Sequence, residues 1–336
     1  MQVDPAAGLP TMSETGTLSA EPASSAVGEP GLKVNRLGHI DAMRGVAAMA
    51  VVLQHSLELV GLDSPAFNLG RFGVVLFFFL SGFVIPFSFS GEQPVRRFLI
   101  TRFFRLYPAY WVSLLAALLV TDFPPWVAAV NLTMIQNGLG VPNVVQAYWS
   151  LFYELFFYLI CVVLWLKGRP MMWTGVLALF FLSQFWSQFA VVGFMLTGTL
   201  VRYFLMEKNR DAAPWAITAV VGTVAVAFSK FLGSDDFLFG YATGELAALS
   251  CFLMVILAKP RSTLCEWLGK ISYSIYLLHG VVLLAMPLIW APAYVAVVCG
   301  ISIALAAMNY RWVEEPCIRI GKQMAKRSAR RALQAA

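Results

Sequence analysis

The chain has 336 residues, 59% of them hydrophobic and only 12% charged, with a mean hydropathy of +0.73. A soluble protein usually carries about 25% charge, so this composition excludes an ordinary soluble enzyme, a disordered chain, a coiled coil and a disulfide scaffold. The net charge of +6 would suit nucleic acid, but the basic residues punctuate apolar runs instead of forming a patch, so no nucleic-acid partner is expected.

Residues 1–35 are rich in Pro, Gly, Ser, Ala and Glu. They lack the basic start and apolar core of a signal peptide, and a disordered tail is expected there. Apolar runs then recur to about residue 312. A hydrocarbon layer of about 30 Å needs about 20 helical residues to cross it. The predicted spans are 39–60, 70–90, 104–121, 147–167, 171–187, 189–206, 214–232, 238–258, 268–289 and 292–312. The fold class expected is an all-α integral membrane bundle of about ten helices, with one transmembrane domain over 36–321. Residues 322–336 read as a basic tail suited to anionic lipid. Segment 124–137 is too short to span and contains Pro124, Pro125, Asn131, Gln136 and Asn137. Irregular backbone is not tolerated against lipid, so this piece must lie against protein or a wet cavity.

Lys and Arg concentrate on the cytoplasmic side of membrane proteins. With both termini inside, all 24 basic residues except Arg71 and Lys230 fall in inner segments or at inner helix ends. Five cysteines, Cys161, Cys251, Cys265, Cys299 and Cys317, have no C-x-x-C spacing, and the three histidines are far apart. No metal site is expected.

Ionisable residues within a span are costly and usually functional. The first span, HIDAMRGVAAMAVVLQHSLELV, contains Asp41, Arg44, His55 and Glu58. At 100° per residue these four occupy an arc of about 100°, and Arg44 and His55 are separated by a rise of about 16 Å. His39 points off that arc. RFFRLYPAYW places Arg102 and Arg105 one turn apart at the inner start of the third span. WSLFYELFFYL carries Glu154 and YATGELAAL carries Glu245, each within an apolar run. His279 follows Ser272, Ser274 and Tyr276, where a helix–helix hydrogen bond is expected. Arg44, Arg102 and Arg105 make a cationic inner group, and arginine forks match phosphate oxygens. His55 with carboxylates makes an outer group that can take a proton from a hydroxyl. This division suits group transfer from a phosphorylated cytosolic donor. No glycine-rich nucleotide motif is present, which argues against ATP.

At these residues the chain resembles the acyltransferase-3 family of integral membrane acyltransferases. RLGHIDAMRGVAAMAVVLQHS is similar to the family's first span, with Arg44, ten residues and His55. FGVVLFFFLSGFVI resembles the second-span motif in Ser81, Gly82 and Phe83, and RFFRLYPAYW the Arg-x-x-Arg segment in Arg102 and Arg105. WSLFYELFFYL matches in Trp149, Ser150 and Glu154, and LGKISYSIYLLH and RWVEEP resemble the closing spans. The resemblance implies acyl-CoA, usually acetyl-CoA, as a co-substrate with no bound cofactor. It implies a carbohydrate acceptor, a polysaccharide or lipid-linked sugar, at a bacterial cytoplasmic membrane. Many relatives have two adjacent histidines where this chain has Gln54 and His55, which concentrates the base on His55. Some carry a further extracytoplasmic hydrolase-like domain. This chain is expected to transfer alone or with a partner, in the manner of exopolysaccharide O-acetyltransferases.

The expected roles follow. Arg44, Arg102 and Arg105 bind donor phosphates. His55 acts as general base or acyl carrier, with Glu58 or Glu154 orienting its imidazole. Asp41, Ser81, Trp149, Glu245 and His279 support the site. The alternative is a transporter or flippase for a polar lipid or glycan, which should show two related halves; none are evident in the sequence.

Overall fold

The computed structural model describes residues 38–167, 190–206, 212–231, 236–288 and 290–335. The expected tail 1–35 and the predicted span 171–187 lie outside the described residues. Among the described residues the chain is helical, without strands. In chain order the helices are α1 (Gly38–Leu59), α2 (Leu69–Val84), α3 (Pro94–Leu118), the short α4 (Pro125–Asn131), α5 (Trp149–Lys167), α6 (Ala190–Leu205), α7 (Ala213–Phe231), α8 (Asp236–Ala258), α9 (Thr263–Lys270), α10 (Ser272–Ala285), α11 (Ala291–Asn309) and α12 (Glu315–Ala335).

Each predicted span other than 171–187 falls on these helices, 268–289 on the end of α9 and on α10. Among the described residues five helical stretches are long and apolar enough to cross a membrane, or six if the bent pair α9–α10 counts as one span. Their number makes this a multi-pass membrane protein. α6 is apolar but shorter. α1 and α3 fall short on hydropathy because charged and polar residues interrupt them.

The packed interior lies in two parts. The larger holds apolar side chains of α2, α3, α5, α6, α8 and α10, including Phe79, Phe83, Tyr110, Tyr148 and Phe252. The smaller joins α1, α10 and α11 around Val52, Ile275 and Tyr294. In a membrane, helices associate through close backbone approach more than through a difference in hydrophobicity. Gly82 shows this: a β-carbon there would collide with the Met195 carbonyl of α6. Thr199 of α6 reaches back to donate to the Gly82 carbonyl at 2.9 Å. Gly82→Val should therefore lower the thermal midpoint in detergent, by the equivalent of about 1–3 kcal/mol for overpacking. Gly300→Ala, where a β-carbon meets nothing within 4 Å, should not.

Three features add to the sequence reading. The span expected at 268–289 is broken: α9 and α10 meet at 69°. α9 lies against the first half of α1, with Gly269 against the Asp41 carbonyl and Gly45 against the Cys265 carbonyl. Second, the segment read as a basic tail is helical from 322 to 335. α11 passes through one π turn, Tyr310–Glu314, into α12. α12 packs along α3, with Gly321 against Phe104 and Ala325 buried. Arg319, Lys322, Lys326 and Arg327 are exposed. The helix is amphipathic, which is why it docks where a merely basic segment would not.

Third, segment 124–148 is held by α3 side chains. Tyr107, Tyr110 and Trp111, at helical spacing on one face, donate to the carbonyls of Thr133, Asn131 and Leu132 at 3.1, 2.6 and 3.0 Å. Asn131 is fully buried and bonds Val127, Pro142 and Val144. The irregular backbone is satisfied by protein, as its composition requires.

Candidate active site

α1 presents its ionisable stripe to three different surroundings. Near its start, Arg44 lines a cavity of about 620 Å³, counted to its open mouth. Ser81 of α2, Arg105 of α3, Ser150 and Glu154 of α5 and Tyr276 of α10 line it too. Arg44 and Arg105 form no hydrogen bond or ion pair to any described residue. Two guanidinium groups thus face a cavity with their donors unspent. Glu154 is the carboxylate among them, and accepts from the Tyr158 hydroxyl one turn along at 2.6 Å. Asp41, one turn before Arg44, is within electrostatic reach of both arginines but does not line the cavity. Trp149 packs edge-on against Phe78, which does.

Arg102 is separated from Arg105. Its guanidinium donates to the Ser88 hydroxyl at 2.6 Å and stacks over Phe98 and Tyr158. It lies behind the Tyr158–Glu154 pair and not in the cavity lining. An i, i+3 pair shares a helix face only approximately, and here the Ser88 hydroxyl and two aromatic rings draw Arg102 aside.

Farther along α1, His55 meets His279 of α10. His55 Nδ1 and His279 Nε2 are 3.1 Å apart, with the ring centroids at 5.3 Å and 20° between the ring planes. His279 is fully buried, and its Nδ1 lies 3.3 Å from the Ile275 carbonyl. Tyr276, one turn before it, packs against its ring at 5.7 Å. The Tyr276 hydroxyl is tied to Ser150 Oγ at 2.7 Å and the Ala147 carbonyl at 2.8 Å. Because Tyr276 also lines the cavity, the histidine pair lies one helical turn beyond the cavity wall.

The carboxylates have separate surroundings. Glu58 is exposed and accepts from Gln54 Nε2 at 2.8 Å. Glu154 sits with the arginines. The sequence reading had either of them orienting the His55 imidazole; Glu58 is within electrostatic reach of that ring, whose Nδ1 is bonded to a histidine. Glu245, fully buried on α8, accepts from Arg71 of α2 and Lys230 of α7, both at 2.5 Å. It braces three helices and does not line the cavity. Leaving a charge unpaired in such surroundings would be costly.

One charged residue was missed. Glu314, in the π turn after α11, is buried and accepts from the Ser274 hydroxyl at 2.7 Å. Asn309 in turn donates to Ser274 at 3.0 Å. Glu314 lies within electrostatic reach of Arg105 and Arg44. Its signal was present in RWVEEP, an acid among aromatic and apolar residues, but nothing local connects it with α3.

Residues 37–308 match the acyltransferase domain of the acyltransferase-3 family. The chain belongs to the acyltransferase-3 family. The family match takes in the cavity arginines, Glu154 and both members of the histidine pair, and stops just before Glu314. Among relatives, peptidoglycan O-acetyltransferase OatA of Listeria monocytogenes is 23% identical over 84% of this chain and 56% of its own length. The chain thus spans little more than half of that protein. Putative acetyltransferase ORF330 of Acidianus two-tailed virus is 24% identical over 80% of this chain and 88% of its own length. Protein 2 in the picA locus of Rhizobium radiobacter is 34% identical over 45% of this chain and 74% of its own length. No solved structure matches. Family membership favours acyl transfer over the transporter or flippase considered from the sequence.

Proposed function

We propose that this chain is a membrane-embedded O-acyltransferase that moves an acyl group, acetyl in the first instance, from cytosolic acyl-CoA to a hydroxyl of an envelope or secreted carbohydrate. The observation that carries the reading is the pair of cavity arginines, Arg44 and Arg105, which form no hydrogen bond or ion pair to any described residue. Unspent guanidinium donors in a membrane protein suit the phosphates of a donor. About 16 Å along α1 from Arg44 lies His55. That separation suits a donor whose phosphates and thioester occupy opposite ends of a flexible arm.

In this reading the acceptor hydroxyl loses its proton to the His55 imidazole. Its oxygen forms the bond to the acyl carbon, the carbon–sulfur bond breaks, and the sulfur takes the proton to leave as the thiol. Hydroxyl oxygen and thioester must be brought together for this, and holding reactants in place is itself a large share of such catalysis. The carbohydrate acceptor is supported by the Listeria relative, whose name specifies peptidoglycan. The test is release of free CoA from acetyl-CoA by purified protein, with and without added glycan. No release in either condition would overturn the donor assignment.

The ten-span arrangement with both termini cytoplasmic, in a bacterial inner membrane, is part of the same reading. It is supported by the bias of Lys and Arg. A reporter after Lys322 and one in the segment near Arg96 should be cytoplasmic. The segment 61–69 should react with an impermeant label from outside. Labelling of the C-terminus in intact cells would break this topology.

A further inference from the structure

The histidine pair defines which nitrogen of His55 does the chemistry. His279 Nδ1 lies 3.3 Å from the Ile275 carbonyl oxygen. A carbonyl only accepts, so His279 Nδ1 bears the hydrogen. The contact to His55 runs nitrogen to nitrogen at 3.1 Å, and such a bond requires one of the two nitrogens to be bare. Among the described residues no carboxylate faces His279, and the ring is fully buried, so it is neutral and has one ring hydrogen. That hydrogen is already on Nδ1. His279 Nε2 is therefore the bare acceptor, and His55 Nδ1 donates to it. His55, also with one ring hydrogen when neutral, is left with its lone pair on Nε2, which has no hydrogen-bond partner among the described residues.

We propose that His279 is a positioning residue: it holds His55 in the Nδ1–H tautomer and so makes His55 Nε2 the proton-accepting atom of acyl transfer. The proposal deepens the function given above and rests on His55 being the base. In hydrolytic triads a buried carboxylate holds the base histidine in its tautomer and orientation. Here a second imidazole takes that place, fixed in turn by one carbonyl of its own helix. His55 Nε2 takes the hydroxyl proton and returns it to the departing sulfur. His279 neither gains nor loses a proton in the cycle. The Tyr276 hydroxyl, tied to Ser150 and the Ala147 carbonyl, keeps the α10 turn that presents His279 in register with α5.

The test uses full-length protein labelled with ¹⁵N-histidine, in lipid nanodiscs. The chain has only three histidines, so His39→Gln and His279→Gln assign the spectrum. Protonated and bare ring nitrogens resonate far apart. The expected spectrum shows His55 protonated at Nδ1 and bare at Nε2. His279→Leu should abolish the single tautomer and lower kcat about 100-fold, the lower end of what general-base catalysis contributes, with KM for acetyl-CoA unchanged. His279→Gln offers a side-chain carbonyl to the same N–H and should recover most of the activity. Wild-type His55 protonated at Nε2 would overturn the proposal, whether or not the leucine variant folds. So would an unchanged kcat in His279→Leu while His55→Ala is inactive, which leaves the base assignment standing. Activity retained in His55→Ala would instead remove the base assignment, and the proposal with it.

Discussion

His55→Ala should reduce acetyl transfer by at least about two decades, since general-base catalysis typically contributes 10²–10⁴-fold. His55 is the histidine of α1 that shares a face with Arg44, and its ring is held by His279 at 3.1 Å. His39→Ala should cost little. That side chain lies in the first turn of α1, away from the His55–His279 pair. The role requires a ring with a bare nitrogen, so wild-type activity should fall as pH falls and the imidazole takes a proton. The measurement is acetylated-glycan yield from membranes containing matched amounts of each variant. Near-normal yield from His55→Ala would remove the mechanism while leaving family membership untouched.

Arg44→Ala and Arg105→Ala should each weaken acetyl-CoA binding by about one to two decades. A hydrogen bond to a charged group is worth about 1.5–3 kcal/mol, and about 1.4 kcal/mol is tenfold in affinity. Both arginines line the cavity and form no hydrogen bond or ion pair to a described residue, so an incoming phosphate would not have to displace one of these. Arg102→Ala should behave differently. Its guanidinium is already engaged by Ser88, Phe98 and Tyr158, so the loss should appear mainly in stability and only secondarily in donor affinity. Calorimetric titration with acetyl-CoA and thermal unfolding of the same samples separate the two. Unchanged binding in the folded Arg44→Ala, Arg105→Ala double variant would place the donor elsewhere.

Several features of this protein could be read along the chain alone, because they are periodic or compositional. Helix positions follow from apolar runs of bilayer length. The shared face of Arg44 and His55 follows from 3.6 residues per turn. The need of segment 124–137 for a protein partner follows from its prolines and amides, and the Tyr107–Tyr110–Trp111 face of α3 supplies that partner. In each case the determining interaction is between neighbours in sequence or between the chain and its solvent.

The pairings were not legible in the same way. His55 and His279 are 224 residues apart, and Arg71 and Glu245 are 174 apart. Glu154 stands with the arginines and not with His55, and Arg102 parts from Arg105, although their spacing of one turn suggested a shared face. The sharp turn between α9 and α10, and the docking of α12 on α3, likewise depend on distant partners. Hydropathy cannot rank such contacts, because every apolar helix face is as well satisfied by lipid as by another helix. What ranks them is where backbones can approach, as at Gly82 against Met195 and Gly269 against Asp41. These close crossings set the rotation and depth of each helix, and so decide which polar group of one span meets which of another.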